Sequence, residues 1–292
     1  MSFQEERLRR TSPIRSLQLG DLKISYVPDG VVYLKPGGWL PAATAQDWEH
    51  NAAHLDANGN LVATIGGLLI EDGERALLID AGVGPVSLPD DPGNPLVGAL
   101  RGGDLLDNLA KLGRRPEEIE AVAFTHLHPD HLGWAHHTAP GDELPAFTQA
   151  AYLFAEPEWT QQHLRTATDV TDEMLATLAS QARIITDGEE IFPGVRTMFT
   201  PGHTVGHASY TITSGGRRLI AFGDALHSAV QIRHPEWSAG VDSDPAESAV
   251  HRHRLVKELQ EPDTIGFGVH FADVVFGRVH TTATGPTWHP VA

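Results

Sequence analysis

Four side chains able to bind a metal ion, His126, His128, Asp130 and His131, fall within six residues, directly after the apolar run Ala121-Val122-Ala123-Phe124. Neutral imidazole and carboxylate are the donors that zinc and other first-row divalent ions take. His126 and His128 stand two apart at an extended strand end, so they point to the same side. Asp130 and His131 lie on the turn beyond, displaced toward a second position. One ion can hold the first pair and another the second, which is the outline of a two-metal site. If the cluster were structural, each imidazole and the carboxylate would need its own hydrogen-bond partner when buried. Metal satisfies them together.

Further ligand types recur at strand ends. Thr200-Pro201-Gly202-His203-Thr204-Val205-Gly206-His207 follows the apolar stretch Val195 to Phe199, and Leu219-Ile220-Ala221-Phe222 runs into Gly223-Asp224. Thr264 to Val269 leads into His270, and Ala76 to Ile79 ends in Asp80 before Ala81-Gly82. Each is a β-rich run that ends in a potential ligand close to a glycine. Sites built this way are held by a rigid sheet while their loops vary.

The order of these motifs resembles the metallo-β-lactamase fold superfamily over nearly the whole chain, from about Val62 to His270. The segment Gly223-Asp224-Ala225-Leu226-His227, followed by Val241-Asp242-Ser243-Asp244-Pro245 and a helix, is similar to the methyl parathion hydrolase and quorum-quenching lactonase branch. The resemblance implies an α/β fold, an αββα sandwich of two mixed sheets flanked by helices. It also implies a ligand set: His126, His128 and His203 on the first metal, Asp130, His131 and His270 on the second, and Asp224 bridging both. His270 stands in Gly-Val-His-Phe rather than the Gly-His-Asp of many relatives, so His280 and His289 are alternatives for the last ligand. By the same resemblance Asp80 supports ligands from behind, His207 is structural in its turn, and His227 orients substrate where the lactonases have Tyr. Both early positions of the first motif are His, where the iron-containing flavodiiron branch has a Glu, and Cys is absent. Zinc is therefore the expected ion, with manganese, cobalt or iron able to occupy the same ligands.

Two adjacent cations lower the pKa of a shared water and polarise a carbonyl or phosphoryl oxygen. The expected chemistry is attack by a metal-bridging hydroxide, with Asp130 carrying a proton to the leaving group. Zero Cys and no Gly-x-Ser-x-Gly elbow argue against a covalent intermediate. Trp39, Trp134 and Trp237 are expected on loops that roof an apolar pocket suited to a small hydrophobic ester or lactone. The expected activity is therefore dinuclear metal-dependent hydrolysis of a lactone or carboxylic ester. Organophosphate triester hydrolysis is the alternative within enzymes, and a non-catalytic metal-binding scaffold the alternative outside them.

The elements that must position these residues fit in one domain. At 292 residues the chain can bury a sizeable core, and strand-like runs alternate with helical stretches. Residues 1–16 read as a flexible or partner-docking arm and 17–292 as a single hydrolase domain, with a homodimer compatible with the resemblance. Leu17 to Val27 and Val31 to Leu34 read as strands around a Pro28-Asp29-Gly30 turn, and residues 36–60 as a long surface loop. Leu105, Leu106, Leu109 and Leu112 share a helical face that Gly113 ends. Asp244-Pro245-Ala246-Glu247 opens a helix to about Gln260, on which His251 and His253 read as solvated. The balance of 21 basic and 38 acidic residues, a net −17, disfavours nucleic acid as a partner. The first ten residues lack the apolar core of a signal peptide and no stretch is long enough to span a membrane, so a cytoplasmic enzyme is expected.

Overall fold

Apolar runs such as Leu68-Leu69-Ile70 and Ala76-Leu77-Leu78-Ile79 suit strands with both faces covered. A computed structural model, describing residues 3–139, 141, 143–161 and 170–291, builds them into two sheets. The first contains β1 (Arg15–Leu19), β2 (Leu22–Leu34), β3 (Leu61–Asp72), β4 (Arg75–Ile79), β5 (Ser87–Leu88), β6 (Val97–Arg101), β7 (Ala121–Ala123), β8 (Ala151–Ala155) and β9 (Ala182–Ile185). Its order is β5-β6-β2-β3-β4-β7-β8-β9, with β1 also paired to β2. The second runs in chain order through β10 (Glu190–Phe192), β11 (Val195–Phe199), β12 (Ala208–Ser214), β13 (Arg217–Ala221), β14 (Thr264–Phe267), β15 (Phe276–Thr282) and β16 (Gly285–Pro290). Both sheets are mixed: β4, β7, β8 and β9 are parallel, as are β13 and β14, and the other pairs are antiparallel.

Period-two alternation sorts each strand's side chains between two cores. Leu68, Ile70, Leu77 and Ile79 pack between the sheets against Tyr210, Ile212, Leu219 and Phe267. Leu69, Leu78, Val122 and Phe154 face outward beneath the helices. These are α1 (Phe3–Arg7), α2 (Pro36–Trp39), α3 (Ala45–His50), α4 (Leu105–Lys111), α5 (Pro129–His136), α6 (Glu156–Thr160), α7 (Asp172–Ala179) and α8 (Pro245–Leu259). Helices α4, α5 and α7 cover the first sheet through Leu105, Leu109, Leu132 and Leu178. Helix α8 covers the second through Leu255, Val256 and Leu259 against Ile220 and Phe222. The layering is the expected αββα sandwich. Among the described residues no helix is long and apolar enough to cross a membrane.

Three local expectations are corrected. Pro28-Asp29-Gly30 is not a turn but a bulge within the continuous β2, where the pairing with β3 slips by one residue. The turn lies earlier, at Gly20-Asp21, between paired Leu19 and Leu22. The bulge turns the buried Asp29 carboxylate inward, where it accepts the N–H groups of Val83, Gly84, Gly103 and Leu105 and the indole of Trp134. Gly82, at φ +62°, is required there, since a Cβ would stand 2.4 Å from Asp29 Oδ2. Trp134 therefore lies in the core on α5 and does not roof the site. Residues 36–60 carry helices α2 and α3, the latter closed by a Thr44–Asp47 capping box. Within the segment read as an arm, Arg7, Arg10 and Arg15 all reach Asp273.

Candidate metal centre

Four chain segments leave the sheets at one end and deliver their ligand types to a single place. After β7 the backbone carries His126 and His128, and Pro129 starts α5, which puts Asp130 and His131 in its first turn. His203 follows β11, Asp224 follows β13 in a tight turn, and His270 follows β14. The ligand atoms gather as two groups, each within 4.8 Å: His126, His128, His203 and Asp224, and Asp130, His131 and His270. His280 and His289, the alternatives for the last ligand, stack on one another across β15 and β16, with ring centroids 4.4 Å apart. They do not enter either group.

Asp224 faces both groups with different oxygens. Its Oδ2 lies 3.4 Å from His203 Nε2 and 3.8 Å from His126 Nε2. Its Oδ1 lies 3.2 Å from His131 Nε2 and 3.0 Å from His270 Nε2. Asp130 Oδ2 is 3.7 Å from each of His131 and His270 Nε2. The backbone of Asp224 is fixed from behind, where its N–H donates to His207 Nε2 at 3.0 Å. Gly223 permits that approach at φ +47°, since a Cβ would come 2.9 Å from the same nitrogen. His207 thus accepts as a neutral ring, and burial holds its pKa down to about 3. It is fully buried in its turn.

The outward Nδ1 atoms of His126, His131, His203 and His270 are held by acceptors, which fixes the tautomer that leaves Nε2 facing inward, whereas His128 turns Nδ1 inward, 3.1 Å from His203 Nε2. His131 Nδ1 meets Asp80 Oδ2 at 2.9 Å, His203 Nδ1 meets Asp242 Oδ1 at 2.9 Å, and His270 Nδ1 meets the Thr64 carbonyl at 2.8 Å. His126 Nδ1 meets Thr125 Oγ1 at 3.0 Å, and that hydroxyl donates in turn to Asp80. Asp80 also accepts the Thr125 N–H and stands at φ +61°, a strained backbone for a residue with a side chain. Burial pushes His126 and His128 far below their usual range, His128 to about 3. Burial acts the same way on His131 and His270, but the carboxylates of Asp224, Asp130 and, for His131, Asp80 prevail and raise both.

These residues fit a cation. His126 Nε2, His131 Nε2, Asp224 Oδ1 and both ring nitrogens of His227 are buried without any hydrogen-bond partner. Several lie within 3.2 Å of an opposite group, yet none is aligned as a hydrogen bond, because all converge on shared space. Unpaired buried polar atoms are costly. Nitrogen and carboxylate donors converging in two groups suit two divalent ions.

Two residues at the site, Glu158 and Arg252, do not end a β-rich run. Glu158 on α6 is buried, and its two oxygens accept the N–H groups of Leu127 and Gly206, each at 2.8 Å. It clamps the loop of His126 and His128 to the loop of His203, and burial raises its pKa. Arg252 is fully buried on α8 between two histidines read as solvated, and its Nη1 meets Asp242 Oδ2 at 3.1 Å. The signal was present: Ser248, Arg252, Leu255, Val256 and Leu259 fall on one helical face, and all are buried. His227 is buried with its Nε2 3.1 Å from Asp224 Oδ2. The Trp39 ring meets it edge-on with centroids 5.1 Å apart. Trp237 packs instead on His234 and Trp48.

Among known proteins, the profile of the Metallo-beta-lactamase superfamily matches residues 68–270. An N-acyl homoserine lactonase of Bacillus cereus is 26% identical over 205 residues, covering 66% of this chain and 76% of its own length. One from a Bacillus sp is 27% identical over the same shares. Of solved structures, AidC, a dizinc quorum-quenching lactonase, superposes with a TM-score of 0.80 at 21% identity, covering 96% of this chain and 98% of its own. The hydrolase AbOPH superposes at 0.78 and 22% identity, covering 97% and 99%.

Proposed function

The chain belongs to the metallo-beta-lactamase superfamily, and from that premise we propose that it is a dinuclear metal-dependent hydrolase that opens the ester bond of a lactone. The observation that carries this reading is the split carriage of Asp224, with one oxygen toward each group of imidazoles. His126, His128, His203 and Asp224 would hold one ion; Asp130, His131, His270 and Asp224 would hold the other. Zinc is the ion proposed from the all-nitrogen-and-oxygen, histidine-rich set. Bound there, two such ions supply Lewis acidity, acidifying water and polarising a carbonyl oxygen.

The chain's own residues do the rest. Asp130 is the least buried of the carboxylates at the centre, its side chain 24% exposed, so it can take a proton from water and return it to the alcohol oxygen released when the ring opens. His227 presents a buried ring with neither nitrogen in an aligned hydrogen bond, its Nε2 3.1 Å from Asp224 Oδ2, and burial depresses its pKa. As a neutral ring it can donate one hydrogen bond to a substrate oxygen and so orient the ester. Trp39 backs that ring with an apolar edge. The ligand chemistry suits any carbonyl ester; the choice of a lactone rests on the curated relatives, which are N-acyl homoserine lactonases.

The test is metal content together with a hydrolysis panel of N-acyl homoserine lactones, aryl esters and a phosphotriester. Two equivalents of metal, proton release on lactone opening, loss with a chelator and return with zinc are the expected results. Turnover of the triester alone would replace the lactonase reading with that of a triesterase. Full metal loading with no turnover on the panel would favour a scaffold.

A further inference from the structure

Asp273 is fully buried, and among the described residues the ion pairs of its carboxylate all come from the N-terminal segment. Arg10 donates Nε and Nη2 to Oδ2 at 2.9 and 2.7 Å, and Arg15 donates Nε to Oδ1 at 3.0 Å with its Nη2 on the same oxygen. Ser12 Oγ lies 3.4 Å from Oδ1. Arg7 adds Nε and Nη2 to the Asp273 carbonyl at 2.9 and 2.5 Å, and its own carbonyl accepts the Asp273 N–H at 3.1 Å. The backbone and side chain of this one residue are thus gripped by residues more than 250 positions away.

Asp273 sits three residues beyond His270, on the loop between β14 and β15. That loop is closed on itself by Gly268 N–H to the Val275 carbonyl at 3.0 Å, and Ala272 within it stands at φ +45°. A non-glycine residue keeps such a backbone only where its surroundings over-determine it. The other restraint is on the opposite side: Thr64 of β3 donates Oγ1 to the Val269 carbonyl at 2.6 Å and accepts His270 Nδ1 on its own carbonyl. His270 is thus set between a fixed strand and a loop whose far end is tied by three guanidinium groups.

We infer that the N-terminal segment from Arg7 to Arg15 is an intramolecular latch that positions His270 through Asp273 and so sets the affinity of the second metal position. This inference rests on the two-ion reading above. Asp273 is a positioning residue, since its carboxylate is engaged by the arginines and not by the metal groups. The segment's role is internal to the chain, in place of the free or partner-docking arm that its composition suggests.

Metal titration of the full chain, with zinc and with cobalt followed by absorbance, tests it on wild type, Asp273→Asn and Arg10→Gln. Far-UV circular dichroism checks that each is folded. The wild type is expected to bind two equivalents. Both variants are expected to keep the first affinity and lose about tenfold or more on the second, the scale on which partners behind a ligand act, with Asp273→Asn the more affected. A purely structural role would lower thermal stability without separating the two ions. Two equivalents bound at wild-type affinities by both variants, or equal weakening of both ions, would overturn the latch. A wild type that binds a single equivalent would overturn the two-ion reading and the latch with it. Arg10→Gln removes one guanidinium from the half-exposed side, so the test stands even if Asp273→Asn does not fold.

Discussion

Arg252 and Asp242 form an ion pair of 3.1 Å in which neither side chain has any exposure to solvent. The carboxylate is shared, since its other oxygen holds His203 Nδ1. Burial opposes its charge, but His203 and Arg252 outweigh burial and hold Asp242 down to about 2. Arg252 also binds the Pro235 carbonyl, Ser238 and Ser248, so one guanidinium ties helix α8, the loop before it and, through Asp242, the back of His203 together. Removing it as Arg252→Met leaves a buried charge unpaired, a loss of about 3–5 kcal/mol. Affinity for the first ion should fall roughly 10- to 100-fold. Urea unfolding and metal titration check both, and an unchanged first affinity would detach Arg252 from the centre.

Asp224→Asn keeps the shape of the side chain and replaces one oxygen by a donor NH2. The single negative charge that faces both groups is then lost, and one of them also loses an oxygen donor. The variant should retain at most one equivalent of metal, measured by elemental analysis after dialysis. Two equivalents at full activity would show that the carboxylate does not serve both positions.

Glu158→Ala leaves the Leu127 and Gly206 N–H groups buried without acceptors. Each such group costs about 1–3 kcal/mol, so a clear drop in unfolding free energy is expected together with weaker binding at His126, His128 and His203. Equal metal affinity in a destabilised variant would confine Glu158 to the fold.

His227→Ala should leave two metals in place and lower kcat roughly a hundredfold, the scale of a lost donor to a developing charge. Metal analysis and steady-state kinetics on the best lactone separate the two effects. A variant of unaltered rate would remove His227 from the reaction.

His136 lies at the C-terminal end of α5 with the His137 ring 4.2 Å away, and burial, then His137, holds its pKa down to about 4. Its folded value is below the ordinary 6.5, so between those two values the unfolded chain binds more protons. Its contribution to stability is therefore complete above about pH 6.5 and is lost as pH falls toward 4. His136→Asn should lose less stability than wild type between pH 7.5 and 5 in paired urea titrations; parallel losses would contradict the assignment.

The candidate centre was legible because His126, His203, Asp224 and His270 each follow a β-rich run, the last three with a glycine one or two residues before, so identity, order and spacing coincide. The layered fold was legible for a related reason: strands covered on both faces leave uninterrupted apolar runs. What pattern reading missed acts at long range. Pro28-Asp29-Gly30 has the composition of a turn, yet N–H groups from residues 83 to 105 give the Asp29 side chain a better use. Trp134 looked free to roof a pocket only while α5 had no orientation. Arg252 was obscured by its charged neighbours on the helix, and Glu158 has no local pattern, since both of its partners are backbone groups of distant loops.

The shared carboxylate of Asp224 also bears on how the two positions fill. In the two-ion reading Asp224 would be held by whichever ion bound first, so the two loading steps would be energetically linked, and such linkage is reciprocal by necessity. Intermediate, half-filled protein should then depart from statistical abundance. A preparation holding one equivalent per chain would accordingly be a mixture whose composition reports the sign of that coupling.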